Sequence, residues 1–388
     1  MSDRLCLTVV QPTLAKYRVP VWREMATRSG VDLRVWYGDH GTLKNATADG
    51  FQADERRLRF WSLRGQEVLW HQAQVDAVKS ADTDVAVLSW GTRYLSLGPA
   101  LRAAKRRNKP VVLWGHGYSK NDSPLRVFLR DRIAKLASVL LFYDERTAAA
   151  AVENGWPADR VFAAPNAIDQ TPLAAARGAW LAEPERLERF AQEQRINDRE
   201  VLLFVSRLMP ENRVELLIEA MERLRASRPQ AVAIVVGGGT EDERLRAMVS
   251  AKNLKDHVRM LGPIYDEDQL APWFLSAKAF VYPSAIGLSL LHAFGYGLPV
   301  VTDDNVAGQN PEIVAYQPDE GPEQNGLAYR ANDVGSLAET LTRLLSDHAL
   351  RDRLAGNAAA TVADQYNIPR MVDGIESAAR AALAHHGG

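Results

Sequence analysis

The feature that most constrains this chain is a repeated alternation. Short apolar runs, four to seven residues long and rich in Val and Leu, alternate with segments of helical period. In the first half the runs fall at 5–10, 31–37, 85–90, 110–114, 138–143 and 161–164. In the second they fall at 201–206, 231–236, 258–261, 279–282 and 298–302. Most are apolar at consecutive positions, so both faces of each strand need cover. Parallel strands with helices on both sides of the sheet meet that need. Helix-period segments such as 214–225 and 242–252 lie between them. The expected class is α/β, with two doubly wound Rossmann-like domains. The 388 residues exceed the roughly 250–300 that one core can serve.

The alternation lapses at 170–198, a stretch rich in Ala, Glu and Arg with no strand signal. The expected plan is a first domain over 1–180, a linker over 181–198 and a second domain over 199–366. A helical pattern over 367–388 can cross back onto the first domain. No run reaches the roughly 18 apolar residues of a membrane span. The first ten residues read as a strand rather than a signal peptide. Cys6 is the one cysteine, which excludes an internal disulfide and a cysteine-based metal cluster. A buried inert thiol in a reducing, cytoplasmic setting is the expectation.

Net charge is −1, but it is unevenly spread. Residues 1–180 hold 26 Lys and Arg against 18 Asp and Glu, a net +8; the rest hold 21 against 30, a net −9. A basic first half points to an anionic partner such as a lipid surface, a lipid phosphate or an acidic glycan. No nucleic acid is expected. The cluster Lys105, Arg106, Arg107 and Lys109 reads first as a solvated helix end.

Ligands of open parallel sheets bind beyond the C-terminal strand ends. In the second half those ends carry Arg207, the glycines 237, 238 and 239, Pro283 with Ser284, and Asp303. Arg207 and Arg213 flank a turn after a buried strand, and guanidinium groups suit a diphosphate. Gly238 and its neighbours either admit a ligand or simply make a tight turn. Near Gly287 a helix is expected to start; either its first-turn amides, over Gly287, Leu288 and Ser289, are open to a phosphate, or the loop is an ordinary one with the helix capped by Ser284. His292, five residues further, either faces the core or reaches a ribose. Glu312 either accepts sugar or ribose hydroxyls or caps a helix. In the first half, His116 stands between Gly115 and Gly117 after a strand. It either hydrogen-bonds a sugar or is an ordinary loop histidine. Tyr17, Arg18, Trp90 and Arg93 follow strand ends and are candidates for the lining of an acceptor site. Asp82, Thr83 and Asp84 spell a metal-binding pattern but precede their strand, so a polar turn is expected.

Taken together, these residues resemble retaining glycosyltransferases of family 4, which have the GT-B fold. The matching elements are Pro165-Asn166-Ala167-Ile168-Asp169, Ser206-Arg207-Leu208, Gly237-Gly238-Gly239, Gly287-Leu288-Ser289-Leu290-Leu291-His292, Gly297-Leu298-Pro299 and Pro311-Glu312-Ile313. The resemblance implies an interdomain cleft, a nucleotide-diphosphate-sugar donor, retention of configuration and no required metal or other cofactor. It also implies a glycan or lipid-linked acceptor of the cell envelope. It matches His116 to a histidine near the donor sugar. Two features depart from the family. Asn212 replaces the phosphate lysine, leaving Arg213 as the second cation. The paired glutamates fall at Ser284 and His292, with Glu312 and His292 as candidate substitutes. Arg207 is expected to stabilise the leaving diphosphate, aided by the amides near Gly287. The rival readings are a nucleotide-sugar epimerase of the same fold and a catalytically silent nucleotide-sugar-binding protein. Peripheral contact with an anionic membrane through the basic first domain is a further expectation.

Overall fold

The computed structural model describes residues 4–41, 44–63, 66–117 and 123–387. They form two units, one of residues up to Ile168 together with Asn367 onward, the other Asp169–Tyr366. The division therefore falls about twelve residues before the expected boundary at 180.

In chain order the first unit runs β1 (Leu5–Gln11), α1 (Val19–Thr27), β2 (Val31–Tyr37), β3 (Gln52–Glu55), β4 (Leu58–Leu63), β5 (Gln66–His71), α2 (Gln72–Lys79), β6 (Val85–Ser89), α3 (Leu97–Arg106), β7 (Val111–Gly115), α4 (Pro124–Ala134), β8 (Val139–Phe142), α5 (Glu145–Glu153) and β9 (Val161–Ala163). The second runs α6 (Thr171–Ala182), α7 (Pro184–Glu193), β10 (Glu200–Val205), α8 (Val214–Ser227), β11 (Ala231–Val236), α9 (Asp242–Ala251), β12 (Val258–Gly262), α10 (Glu267–Ser276), β13 (Ala277–Val281), α11 (Ser289–Gly295), β14 (Val300–Asp303), β15 (Gly326–Tyr329), α12 (Val334–Ser346) and α13 (His348–Asp364). Helix α14 (Ile368–Gly387) returns to the first unit.

The first sheet is parallel, ordered β3-β2-β1-β6-β7-β8-β9. Its pleat divides the apolar runs cleanly. Val85 and Val87 of β6 join one core with Trp22, Met25 and Trp114, while Ala86 and Leu88 join another with Leu97 and Leu101. Consecutive apolar residues in these runs thus serve two buried faces. Helix α14 supplies Met371, Val372, Ile375, Ala378, Ala379 and Ala382 to the first core, all fully buried. It lies so close to β9 that a Cβ on Gly374 would come within 2.1 Å of the Ala163 carbonyl oxygen. Only glycine permits that approach. The antiparallel hairpin of β4 and β5 stands apart from this sheet.

The second sheet is also parallel, ordered β12-β11-β10-β13-β14-β15. The expected linker is different in the structure. Residues 184–193 are α7, folded onto the second unit through Phe190, whose ring meets Trp180 and Trp273 at 5.8 and 4.9 Å. Burying those rings outweighs leaving the segment solvated. Among the described residues no helix is long and apolar enough to cross a membrane.

Each sheet reverses its winding once, between β1 and β6 in the first unit and between β10 and β13 in the second. These are the switch points where α/β sheets open a crevice beyond their strand ends.

Candidate functional site

At the switch point of the second sheet, three loops are tied together. The Tyr282 hydroxyl at the end of β13 donates to Ser206 Oγ after β10, at 3.0 Å. The Ser289 hydroxyl donates to the Val205 carbonyl at 3.3 Å. The start of α11 is therefore held within two residues of Arg207. Arg207 itself is exposed, with no hydrogen bond or ion pair to its guanidinium among the described residues. Its positive charge reaches Tyr282, although burial dominates there and pushes that phenol up.

The third loop follows β14. Gln309, 4% exposed, accepts the Ile286 N–H at 2.7 Å and donates to Asp303 Oδ1 at 2.6 Å. Asn310 donates its side-chain amide to the Ala285 carbonyl and its own N–H to the Ile286 carbonyl at 3.1 Å. These bonds hold Ala285 at φ +56°, a left-handed conformation that costs alanine roughly 1–2 kcal/mol. They also bring Glu312 against Gly287. A Cβ at Gly287 would lie 3.5 Å from Glu312 Oε2 and 3.4 Å from Asn310 Nδ2. Glu312 is 7% exposed. Ser284 hydrogen-bonds Asp303, whose carboxyl burial pushes up against the pull of Ser284, Gln309 and Asn305. Ser284 thus anchors the loop and is not the cap of α11. That helix starts at Ser289, two residues later than expected, with Leu288 at its cap position and no side-chain cap.

Four other expected contacts take different partners. Asn212, 6% exposed, donates to the Arg207 carbonyl at 2.6 Å, so it braces the turn from behind. Arg213 is no free cation: its Nε donates to Glu215 Oε1 at 2.6 Å and its NH1 to Asn332. The imidazole of His292 meets Glu267 Oε1 at 3.0 Å and stacks on Phe274 at 4.8 Å. Burial pushes the Glu267 carboxyl up, but hydrogen bonds from His292 and Tyr296 outweigh it and hold it below its ordinary value. His292 therefore faces a protein carboxylate, on the α10 side of its helix. The triple glycine serves packing. A Cβ on Gly237 (φ +150°) would lie 1.8 Å from the Ser206 carbonyl oxygen, and one on Gly239 2.2 Å from that of Leu208. Gly238 accepts the Leu208 N–H at 3.0 Å.

The first unit holds a cavity of about 840 Å³ at its own switch point, beyond β1, β6 and β7. It gathers Tyr17, Arg18, Trp90, Arg93 and His116, five residues from three separate stretches of sequence. Gly115 lets β7 end against the Trp90 carbonyl, where a Cβ would sit at 2.8 Å. Gly117 turns left-handed (φ +68°) under the Phe142 ring. Between them His116 stacks on Tyr143, ring centres 4.3 Å apart. Burial chiefly, then Arg18, lowers its pKa to about 4 against the pull of Asp144. At neutral pH it is an uncharged hydrogen-bonding group. Asp82, Thr83 and Asp84 lie at the opposite sheet edge. There the Asp84 carboxylate accepts the Cys6 N–H at 2.8 Å and Thr83 pairs with the Thr8 hydroxyl. Among the described residues no group of three or more His, Cys, Asp or Glu is placed to hold a metal ion.

Residues 185–361 match the family model for glycosyl transferases group 1. The second unit carries a glycosyl transferases group 1 domain. The chain is 29% identical over 287 residues to an exopolysaccharide phosphotransferase of Streptomyces coelicolor, covering 71% of this chain and 26% of that protein. It is 26% identical over 261 residues to a GDP-mannose-dependent phosphatidylinositol monomannoside mannosyltransferase of Mycolicibacterium smegmatis, covering 65% and 64%. The chain spans less than two thirds of the length of both relatives. The crystal structure of Anabaena Alr3699/HepE in complex with UDP superposes with a TM-score of 0.66 at 17% identity, covering 96% of this chain and 98% of that one. The fold is that of the GT-B glycosyltransferases.

Within the glycosyl transferases group 1 domain, Gln309 and Asn310 are the residues that sequence reasoning missed. The available signal was their position, two adjacent amides directly before Pro311-Glu312 in the loop after β14. Amides there read as ordinary loop polarity until the facing loop, 284–287, is seen to hydrogen-bond them.

Proposed function

We propose that this chain is a family 4 glycosyltransferase that moves a sugar from a nucleotide-diphosphate donor to a glycan or lipid-linked acceptor with retention of configuration. The observation that carries the reading is the convergence of Arg207, the loop at Gly287 and buried Glu312 at one switch point. Arg207 offers the one exposed, unpaired guanidinium in that turn, suited to charge on a departing diphosphate. Glu312 accepts hydrogen bonds from donor hydroxyls beside it. Gly287, Leu288 and Ser289 leave backbone groups accessible, and Ser289 fixes their position. His116 offers a neutral imidazole to the transferred sugar, and no metal ion is called for. In the first unit Tyr17, Arg18, Trp90 and Arg93 receive the acceptor. The GDP-mannose in the Mycolicibacterium relative's name and the UDP bound to HepE support a nucleotide-sugar donor, and the exopolysaccharide in the Streptomyces relative's name supports a role in cell-envelope polysaccharide assembly. Exposed Phe128 and Leu129 on α4, beside Arg132, support peripheral contact with an anionic membrane on the cytoplasmic face.

A thermal-shift screen of UDP, GDP, ADP and their sugars, followed by NMR of products, tests the reading. One nucleotide should raise the melting temperature, and its sugar should be consumed only with an acceptor present. Donor altered without acceptor would identify an epimerase instead. With His292 committed to Glu267, a silent nucleotide-sugar binder is the second reading, and binding without turnover would favour it. Absence of any nucleotide binding would sink all three.

A further inference from the structure

Arg18 is 4% exposed, yet no carboxylate lies within ion-pair distance of its guanidinium among the described residues. A buried charge is costly unless something compensates it. The compensation present is soft. The guanidinium carbon lies 5.1 Å from the ring centre of Trp114, 5.2 Å from Tyr17 and 5.5 Å from Tyr143. Among the described residues its one hydrogen bond goes from NH1 to the Met371 thioether at 3.1 Å, a weak acceptor. Aromatic faces orient a guanidinium without using its in-plane donors. The rest of the wall is also basic. Arg93, Arg126 and Arg130 line the same cavity, and Glu67 is its one acidic lining residue among those described. Glu67 is itself engaged, with His40 at 2.8 Å and Arg93 at 3.9 Å.

We infer that the acceptor of this enzyme carries an oxyanion, a phosphate or a carboxylate, and that Arg18 in its aromatic cage is the residue that receives it. The inference rests on the glycosyl-transfer reading and narrows it from any glycan or lipid-linked acceptor to an anionic one. A neutral sugar would leave only aromatic faces and a thioether against the charge of Arg18 in the complex. An oxyanion accepts two parallel N–H bonds from its fork. The cavity, at about 840 Å³, has room for a sugar bearing such a group.

The test compares three probes on one scaffold by calorimetry with the full chain: octyl glucoside, octyl glucuronide and octyl glucoside 6-phosphate. At least one anionic probe should bind tenfold or more tighter than the neutral one. That advantage should fall to about twofold or less in Arg18→Gln and be partly restored in Arg18→Lys. Preference for the phosphate points to a lipid phosphate acceptor, and preference for the carboxylate to an acidic glycan. Nucleotide affinity, read in parallel, should not change in either variant and reports that the second unit is intact. Equal affinity for all three probes in the unaltered protein overturns the inference, whatever the variants do. So does an anion preference that survives Arg18→Gln. Loss of nucleotide binding in the unaltered protein would instead overturn the glycosyl-transfer reading.

Discussion

Replacing Gln309 by Leu should damage the donor-side loop without emptying the space it fills. The change strands the Ile286 N–H, whose residue is fully buried, and removes the 2.6 Å bond to Asp303. An unsatisfied buried N–H costs about 1–3 kcal/mol, and a bond to a charged group contributes about 1.5–3 kcal/mol. The expected loss is therefore about 3–5 kcal/mol, a large part of the 5–15 kcal/mol typical of a domain. Urea denaturation of the second unit reads the total. Amide hydrogen exchange at Ile286 reads the local part, and its protection should drop first. The pH dependence gives a further check. Burial already pushes the Asp303 carboxyl up, and Gln309 is one of the groups pulling it back. Without that pull the carboxyl rises further and takes up a proton more readily in the folded state, so the destabilisation should shrink as pH is lowered. An unchanged midpoint with Ile286 still protected would refute the reasoning.

Other outcomes follow from the same geometry. Arg207→Ala should lower kcat by on the order of 10²-fold, with little change in stability, because the side chain is exposed and unpaired; steady-state kinetics check this. His292→Ala should cost about 1–3 kcal/mol through the lost Glu267 bond and Phe274 stack, while nucleotide affinity measured by calorimetry stays within about twofold. Burial lowers the fully buried His71 to about 4, against a weaker pull from the Tyr37 backbone. The unfolded chain then binds the extra proton between roughly pH 6.5 and 4. Stability is whole above that window and falls through it, by about 2.5 kcal/mol at pH 4.5 for this one group. Denaturation of His71→Gln at pH 7 and 4.5 should show that share of the slope removed.

The fold was legible because it is written in local pattern. A strand covered on both faces has to read Val-Ala-Val-Leu, as β6 does, whatever it packs against. The hairpin β4–β5 escaped because its strands, with Arg59, Ser62 and Glu67, lie outside the main sheet and need no such runs. The site was legible only in part. Arg207 and Gly287 follow strand ends, and the sheet order alone brings those ends together. The partners of Arg213 and His292 were not legible, since Glu215, Asn332 and Glu267 become neighbours only through tertiary packing. A charged side chain announces its charge in the sequence, but not whether another charge has already claimed it.

Helix α14 has a consequence for the order of assembly. The nascent first lobe lacks six core side chains until residues 367–388 have been made, by which time the whole second lobe has been translated. Met371 is also the hydrogen-bond partner of Arg18. The seat of Arg18 is therefore completed only after the whole second unit has been made, and a first unit released earlier would hold that guanidinium without its thioether partner.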